Sequence, residues 1–224
     1  MSRAPSQIAL AVLALSLVAC GAAPTAGPSE ATGDARSPEA HAIGSSGSPL
    51  ERFFPLVDGM LYQYETENDQ GDRGVLVARV ARTEATRGEL RLPRAVKRFR
   101  FATDGVILES AAGPVYLLKE PITLGASFRG EHGGQTRIAS TSASVSVPAG
   151  HFDGCLQTIE ERAGDRPVRY TSTYCADMGI VLLEAASSGS FERASLRSYG
   201  APVQMKPDGI ERLPAEPQPA PPSR

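Results

Sequence analysis

Turn signals recur at short intervals between residues 50 and 205, and this spacing limits the fold more than any other feature of the sequence. The segments rich in Gly, Asp, Asn and Pro are NDQGDRG (68–74), TRG (86–88), TDG (103–105), AAGP (111–114), EHGGQ (131–135), PAG (148–150), AGDRP (163–167) and SSG (187–189). Between them lie runs of roughly six to twelve residues rich in Val, Ile, Thr, Tyr and Phe, a pattern typical of short antiparallel strands. The chain is therefore predicted to be all-β: a single antiparallel domain built as a curved sheet, a half-barrel or a sandwich.

Apolar and polar residues alternate within these runs, as expected for half-buried strands. In TRIASTSASVSV (136–147), serines occupy even positions from 140 to 146, while Ala or Val occupies 139, 143, 145 and 147. YQYET (62–66) and KRFRFAT (97–103) alternate in the same way. We expect Phe99 and Phe101 in the core and the neighbouring arginines in solvent. The alternative is a basic strip that faces anionic lipid headgroups or lipopolysaccharide.

The N-terminus has the features of an export signal. IALAVLALSLVA (8–19) is an uncharged run of twelve residues, shorter than the roughly 20 residues that span a membrane. It ends in Leu17-Val18-Ala19-Cys20, which resembles the lipobox of bacterial lipoproteins. The resemblance implies that residues 1–19 are a removed signal peptide and that the Cys20 thiol is lipidated. The alternative is an ordinary secreted protein in which Cys20 happens to follow the apolar run.

A multiply acylated Cys20 implies a membrane anchor without a transmembrane helix, because stable anchoring takes more than one acyl chain. Among such lipoproteins of Gram-negative bacteria, Asp after the cysteine often marks retention in the inner membrane. Gly21 stands at that position here. The expected location is therefore the bacterial cell envelope, at the outer membrane.

Two low-complexity segments flank the predicted domain. Residues 20–49 hold the lipidated cysteine and a linker of Gly, Ala, Ser, Thr and Pro without apolar periodicity, which predicts a flexible coil with a reach of roughly 30 Å. His41 within it is interpreted as solvated. Residues 206–224 contain six prolines in nineteen residues and are predicted to be a disordered tail. The folded domain is thus placed at 50–205.

Cys155 and Cys175 are predicted to form a disulfide, because exported proteins meet an oxidising environment. A hairpin folded about Asp165 places Cys155 opposite Cys175, and in the same register Glu161 faces Arg169. Redox-active pairs are usually close in sequence beside a helix, and a metal site needs further ligands. These two alternatives are therefore less favoured.

The stretch SVPAGHFDGC (146–155) is predicted to end one strand, to turn, and to lead into the strand that carries Cys155. Pro fixes φ and Gly permits a positive φ, so PAG predicts a chain reversal. The following Asp153-Gly154 predicts a second bend or a bulge before the new strand.

Four segments in order resemble a group of uncharacterised secreted bacterial lipoprotein domains. They are FFPLVDGMLYQY (53–64), PITLGASF (121–128), VSVPAGHFDGC (145–155) and YCADMGIVLLE (174–184). Phe128 stands where the group usually has Trp. The resemblance implies an all-β fold in the cell envelope and brings no catalytic residues.

The sequence shows no constellation of catalytic residues. It lacks a Gly-x-Ser-x-Gly elbow, a His-Glu-x-x-His helix and a phosphate-binding loop. His132 is placed in an exposed turn, His151 in a corner loop, and Glu160 and Glu161 on opposite strand faces. We expect no cofactor and no metal site.

These expectations favour a non-enzymatic envelope module, either a binding or a structural one, with an envelope protein or a lipid as partner. The alternatives are a carrier of an apolar ligand within a half-open barrel and, less favoured, an enzyme. A formal net charge of −2 gives no support for a nucleic-acid partner.

Overall fold

The computed structural model describes residues 46–200 and the backbone of residues 203–206 and 209–212. Within them, strands alternate with short turns as the turn spacing predicts, and the all-β antiparallel prediction is confirmed. A short 3-10 helix, Pro49–Arg52, precedes the strands. The strands are β1 Leu61–Asn68, β2 Arg73–Glu84, β3 Arg87–Leu92, β4 Ala95–Ala102, β5 Gly105–Glu109, β6 Val115–Lys119, β7 Ser127–Arg129, β8 Gln135–Val147, β9 Gly150–Arg162, β10 Val168–Cys175, β11 Gly179–Ser187, β12 Ser190–Gly200, β13 Val203–Lys206 and β14 Gly209–Arg212.

The first twelve strands form one sheet in the order β6-β5-β4-β3-β2-β1-β12-β11-β10-β9-β8-β7. The edge strands β6 and β7 are consecutive in sequence and are joined by residues 120–126. Those seven residues span at most about 29 Å, whereas twelve flat strands would be roughly 50 Å wide. The sheet must therefore curl until its edges meet. The fold is one nearly closed, barrel-like sheet rather than a sandwich of two.

Connections between strands alternate between the two ends of this curled sheet. We call the end where β1 begins and β12 finishes the proximal end, because Leu61 and Gly200 lie opposite each other there. The turns after β1, β3, β5, β7, β9 and β11 lie at the other end, the distal end. Backbone pairing of β13 with β14 forms a separate small hairpin. Part of the segment predicted as a tail, residues 206 and 209–212, thus has strand backbone.

Buried apolar side chains lie on the inside of the curled sheet. The edges meet through Tyr116 of β6 and Phe128 of β7, whose ring centroids are 6.4 Å apart in an edge-on arrangement. The largest fully buried side chains are Tyr174, Leu50, Leu56, Leu118, Ile138, Leu156, Leu196, Val80, Val106, Val181, Thr173 and Cys155.

The segment before β1 packs against the core from the proximal end. Phe54 lies 4.8 Å from Phe99 between ring centroids, and Leu56 is 1% exposed. Gly88 makes this approach possible, because a Cβ there would lie 2.8 Å from Leu56 Cδ1. The Arg52 carbonyl accepts a hydrogen bond from the Asp177 N–H at 2.7 Å. The segment thus connects β3 to the β10–β11 turn.

A buried arginine holds the same segment to β2. The side chain of Arg82 is 6% exposed and forms an ion pair with Glu51. Its backbone N–H donates to Asp58 Oδ1 at 2.8 Å. A buried guanidinium needs such partners, because an unpaired buried charge is costly.

Strand β8 departs from the strict alternation expected for residues 136–147. Thr136 and Ile138 are buried at even positions, whereas Ala143, Val145 and Val147 are the half-buried residues further along. Register shifts against β9 lie between Ile138 and Ala143, and β-bulges of this kind change which side chains face the core. The predicted face is correct for the second half of the strand and wrong for the first.

The β8–β9 hairpin bends across the proximal end. Its turn is at Pro148-Ala149, as PAG predicts, and a second irregularity at Asp153-Gly154 has Gly154 at φ 65°. The Ala149 N–H donates to the Leu196 carbonyl of β12 at 2.9 Å, although β10 and β11 separate β9 from β12 in the sheet. The hairpin tip therefore helps to cover this end of the core.

The β9–β10 hairpin has the register expected from the sequence. Leu156 lies opposite Tyr174, and Glu161 lies opposite Arg169. The sulfurs of Cys155 and Cys175 are bonded, with 4.3 Å between the Cα atoms. In β4, Phe99 and Phe101 are 3% and 4% exposed, which confirms their place in the core.

Phe99→Ala should lower the free energy of unfolding by about 3–5 kcal/mol, because it leaves a cavity beside Phe54. Val96→Ala in the same strand is the matched control, since Val96 is 46% exposed, and it should change stability by less than about 0.5 kcal/mol. Urea titration of both variants provides the measurement. Equal losses would contradict the assigned core face of β4.

Removing the disulfide with Cys155→Ser and Cys175→Ser together should cost about 3 kcal/mol, because the bond closes a loop of about 20 residues in the unfolded chain. Denaturant titration of the double variant measures this loss. Non-reducing peptide mapping of wild-type protein should recover both cysteines in one linked fragment. Free, alkylatable thiols at both positions in fresh protein would be incompatible with the bond.

Candidate functional site

A polar cluster centred on Glu160 lies inside the distal end of the sheet. Glu160 is on β9, and its side chain is 7% exposed. One oxygen accepts hydrogen bonds from the N–H groups of His132 and Gly134, both at 2.8 Å. The other lies 3.0 Å from His132 Nδ1. The carboxylate therefore holds the β7–β8 turn, residues 130–134, against the interior.

The imidazole of His132 is enclosed by this arrangement. Its ring stacks on Tyr170 with centroids 3.6 Å apart and an interplanar angle of 7°. Its Nε2 is buried, and no group among the described residues hydrogen bonds to it. Beside the ring is a cavity of about 20 Å³, lined also by Thr158 and Ser172. That volume is comparable with the space one water molecule needs.

The carboxyl of Glu160 is ionised at neutral pH. Burial tends to raise the pKa of Glu160, but hydrogen bonds from His132 and the Gly134 N–H outweigh burial, so the pKa lies below its ordinary value. An ionised carboxylate accepts hydrogen bonds only. This matches the donors that surround it. Nearby, burial raises the pKa of Tyr174, so its hydroxyl stays protonated.

A carboxylate that orients an imidazole is also part of hydrolytic triads, in which the imidazole activates a nucleophile. The geometry here offers little support for that chemistry. Thr136, Thr158 and Ser172 line the cavity, and no hydrogen bond from any of these hydroxyls to His132 is present among the described residues. A cavity of about 20 Å³ has no room for a substrate. The arrangement is best explained as a latch that holds the β7–β8 turn.

The expectation that His132 lies in an exposed turn is wrong, since its side chain is 17% exposed. The reason is the close approach of the turn to β8 and β9. A Cβ on Gly130 would lie 2.0 Å from Thr136 Oγ1, and one on Gly134 would lie 2.4 Å from the Glu161 carbonyl oxygen. Gly130 and Gly134, on either side of the turn, therefore serve close packing, whereas Gly133 adopts a positive φ of 81°. Their density in the sequence is the signal that could have indicated this contact.

Glu160 and Glu161 point to opposite faces, as the alternation predicts. Glu161 is outside and accepts hydrogen bonds from the Arg169 guanidinium at 2.9 and 3.1 Å. His151 is also outside, 59% exposed, with Nε2 3.2 Å from Asp153. No local pattern in the sequence predicts the role of Glu160, because the turn that it holds is 26 residues or more away along the chain.

The basic residues of β4 are paired with carboxylates. Lys97 pairs with Glu131. Arg98 lies 3.1 Å from Glu89, and Arg100 lies 3.8 Å from Glu109. These pairs reduce the local positive charge, so the structure disfavours the alternative of a basic strip for anionic headgroups.

The outer face of the sheet carries a groove of about 920 Å³ at its distal end. We call it the outer groove. Its residues come from β7 to β11, from the segment before β7 and from the turns after β9 and β11: Gly125, Ser127, Gln135, Arg137, Glu161, Arg162, Ala163, Pro167, Val168, Arg169, Ala186, Ser187 and Ser188. It has no local signature in the sequence, because its floor is formed by outward-facing residues of several strands that are mostly polar.

The predicted lipidation site, Cys20, lies outside the described residues, as does His41. Across residues 46–200, no cluster of three or more His, Cys, Asp or Glu side chains is arranged to hold a metal ion. In that same part of the chain, no helix has the length and apolar character required to cross a membrane.

Two bacterial proteins are among the solved structures similar to this chain. One is the "putative lipoprotein" of Parabacteroides distasonis ATCC 8503, with a TM-score of 0.45 and 14% identity over 66% of this chain and 97% of that chain. The other is the "putative exported protein with YmcC-like fold" of Bacteroides fragilis NCTC 9343, with a TM-score of 0.44 and 12% identity over 65% of this chain and 97% of that chain. No family model and no curated protein matches the sequence. Similarity at this level concerns the fold and carries nothing about binding or activity.

Glu160→Gln should destabilise the protein by about 1.5–3 kcal/mol at neutral pH, because hydrogen bonds to a charged acceptor are lost. Since the folded-state pKa is lowered, this stabilisation exists above the ordinary glutamate pKa of about 4.3 and disappears as the pH falls through the folded-state value. The difference between wild type and variant should shrink accordingly in denaturant titrations below that pH.

The neighbouring Glu161→Gln is the matched control. Its carboxylate is 56% exposed beside Arg169, and exposed pairs contribute up to about 1 kcal/mol. A Glu160→Gln penalty no larger than that of Glu161→Gln, or one that persists unchanged at low pH, would be evidence against the latch.

Proposed function

We propose that this protein is a non-enzymatic lipoprotein of the bacterial cell envelope, anchored by lipid at Cys20 and acting as a binding module. The observation that carries the proposal is the sequence Leu17-Val18-Ala19-Cys20 directly after an uncharged run of twelve residues. An anchor of this kind leaves the following domain free in the aqueous phase, since acyl chains alone enter the membrane.

The folded domain supports a role in binding through its surface. The cavity beside His132 has a volume of about 20 Å³, whereas ligand pockets are typically about 300–1,000 Å³. This cavity therefore gives no support to the alternative of an apolar-ligand carrier. The outer groove, at about 920 Å³, has the size of a ligand site.

The remaining features fit the same role. Residues 20–49 provide a spacer without apolar periodicity between anchor and domain. The Cys155–Cys175 disulfide suits an oxidising compartment. The residue after Cys20 is Gly21 and not the Asp that often marks retention in the inner membrane. This supports a location at the outer membrane.

Cys20→Ser should move the protein from the membrane fraction to the soluble fraction of the envelope, because the acyl chains have no thiol to attach to. Mass spectrometry of wild-type protein should show the acylated residue. A matched variant, Gly21→Asp, keeps the thiol and should remain acylated while shifting to the inner membrane. If the serine variant stays membrane-bound and the wild type carries no acyl mass, the proposal is wrong.

A further inference from the structure

We propose that the outer groove binds an acidic glycan, a saccharide that carries carboxylate or phosphate groups. The inference deepens the proposed binding role and names its ligand class. It rests on the place of the groove, on its charge and on the kind of groups that line it.

The groove is net positive. Its lining holds three arginines and one glutamate, and the glutamate, Glu161, is already occupied by Arg169 at 2.9 Å. Neither Arg137 nor Arg162 forms an ion pair within the described part of the chain. Arg162 instead lies 5.9 Å from the Tyr170 ring centroid. Tyr170 stacks on His132 in the interior cluster, so the Arg162 side chain lies toward the inside. The exposed Arg137 guanidinium therefore remains for an external anion on the outer face.

The groove differs in this respect from the basic part of β4. Lys97, Arg98 and Arg100 of β4 also stand close together, yet each has a carboxylate partner within this chain. In the groove the arginines outnumber their partners. A guanidinium presents a planar fork of donors that fits carboxylate and phosphate oxygens.

The other lining groups favour a glycan over an acidic peptide. Peptides commonly bind sheet proteins by adding a strand to an open edge. The groove floor, by contrast, is the outer side-chain face of β8, β9 and β10, whose backbones are already paired in ladders. Recognition must come from side chains. Gln135 and Ser127 beside Arg137 can donate and accept hydrogen bonds, as sugar hydroxyls require.

The groove is also open to a long ligand. Its floor residues Ser127, Gln135 and Arg137 are exposed, and so are Pro167 and Ala186 at its walls. A volume of about 920 Å³ lies near the upper end of the range for ligand pockets. A short oligosaccharide rather than a single ion fits this space.

The test measures binding of oligogalacturonate, a carboxylated glycan, to the full-length protein by calorimetry at low ionic strength. Wild type should bind, and added salt should weaken binding because it screens charge. Arg137→Ala should lower the affinity about tenfold or more, as expected for loss of a charge-assisted contact. Arg162→Ala should lower the affinity less, because that side chain lies over the Tyr170 ring.

Arg98→Ala is the matched control, since it removes an equal charge from an exposed arginine on β4. It should change the affinity by less than about twofold, because the groove lies at a different part of the sheet. Thermal melting of each variant separates loss of binding from loss of folding. Should Arg137→Ala melt early, Arg137→Gln, which keeps much of the side-chain length without the charge, replaces it.

Three results would overturn the inference. The first is absence of oligogalacturonate binding by wild type. The second is an equal loss in Arg98→Ala, which would indicate nonspecific attraction. The third is tighter binding of oligoglutamate than of oligogalacturonate, which would assign the groove to an acidic peptide. The Cys20→Ser protein should bind oligogalacturonate as tightly as wild type. A failure of the binding test would therefore leave the proposed lipid anchor untouched, and a failure of the anchoring test would leave the glycan proposal untouched.

Discussion

Residues 120–126 carry the chain directly from one edge of the sheet to the other, and seven residues cannot cross twelve flat strands. The sheet has to curl, and curling creates an inside that must be filled. The contact of Tyr116 with Phe128 is where the two edges meet. Much of the packing described above follows from this closure, because a curled sheet buries one face of every strand.

Closure also leaves two open ends. One is covered by apolar packing and the other by a turn held through hydrogen bonds to a buried carboxylate. The proximal end is covered by apolar groups, Leu50, Phe54 and Leu56, together with the β8–β9 hairpin tip. The distal end is covered by the β7–β8 turn, which Glu160 holds through three hydrogen-bonding contacts. A buried carboxylate is tolerated there because its hydrogen bonds replace hydration.

The parts of this structure that could be predicted from sequence are those decided by local pattern. The β9–β10 register follows from residues on either side of one short turn, and the burial of Phe99 and Phe101 follows from strict alternation. The first half of β8 could not be predicted, since its bulges depend on pairing with β9.

The candidate site was harder to predict because it depends on contacts between distant segments. His132 is buried only because the turn meets Glu160 and Tyr170 from two later strands. The outer groove likewise exists only once β7 to β11 lie side by side. The pairing of β1 with β12, which joins the two halves of the sheet, has no local signature at all.

That last pairing brings Leu61 and Gly200 to the same end of the domain, while the outer groove lies at the other end, about 20 Å away along the strands. A tether upstream of residue 46 and a ligand in the groove would pull the domain in opposite directions along its strands. In an antiparallel ladder the hydrogen bonds run perpendicular to the strands. Such a load shears many of them at once instead of unzipping them singly. With the proposed anchor and the proposed ligand in place, the antiparallel ladders would resist tension between the two.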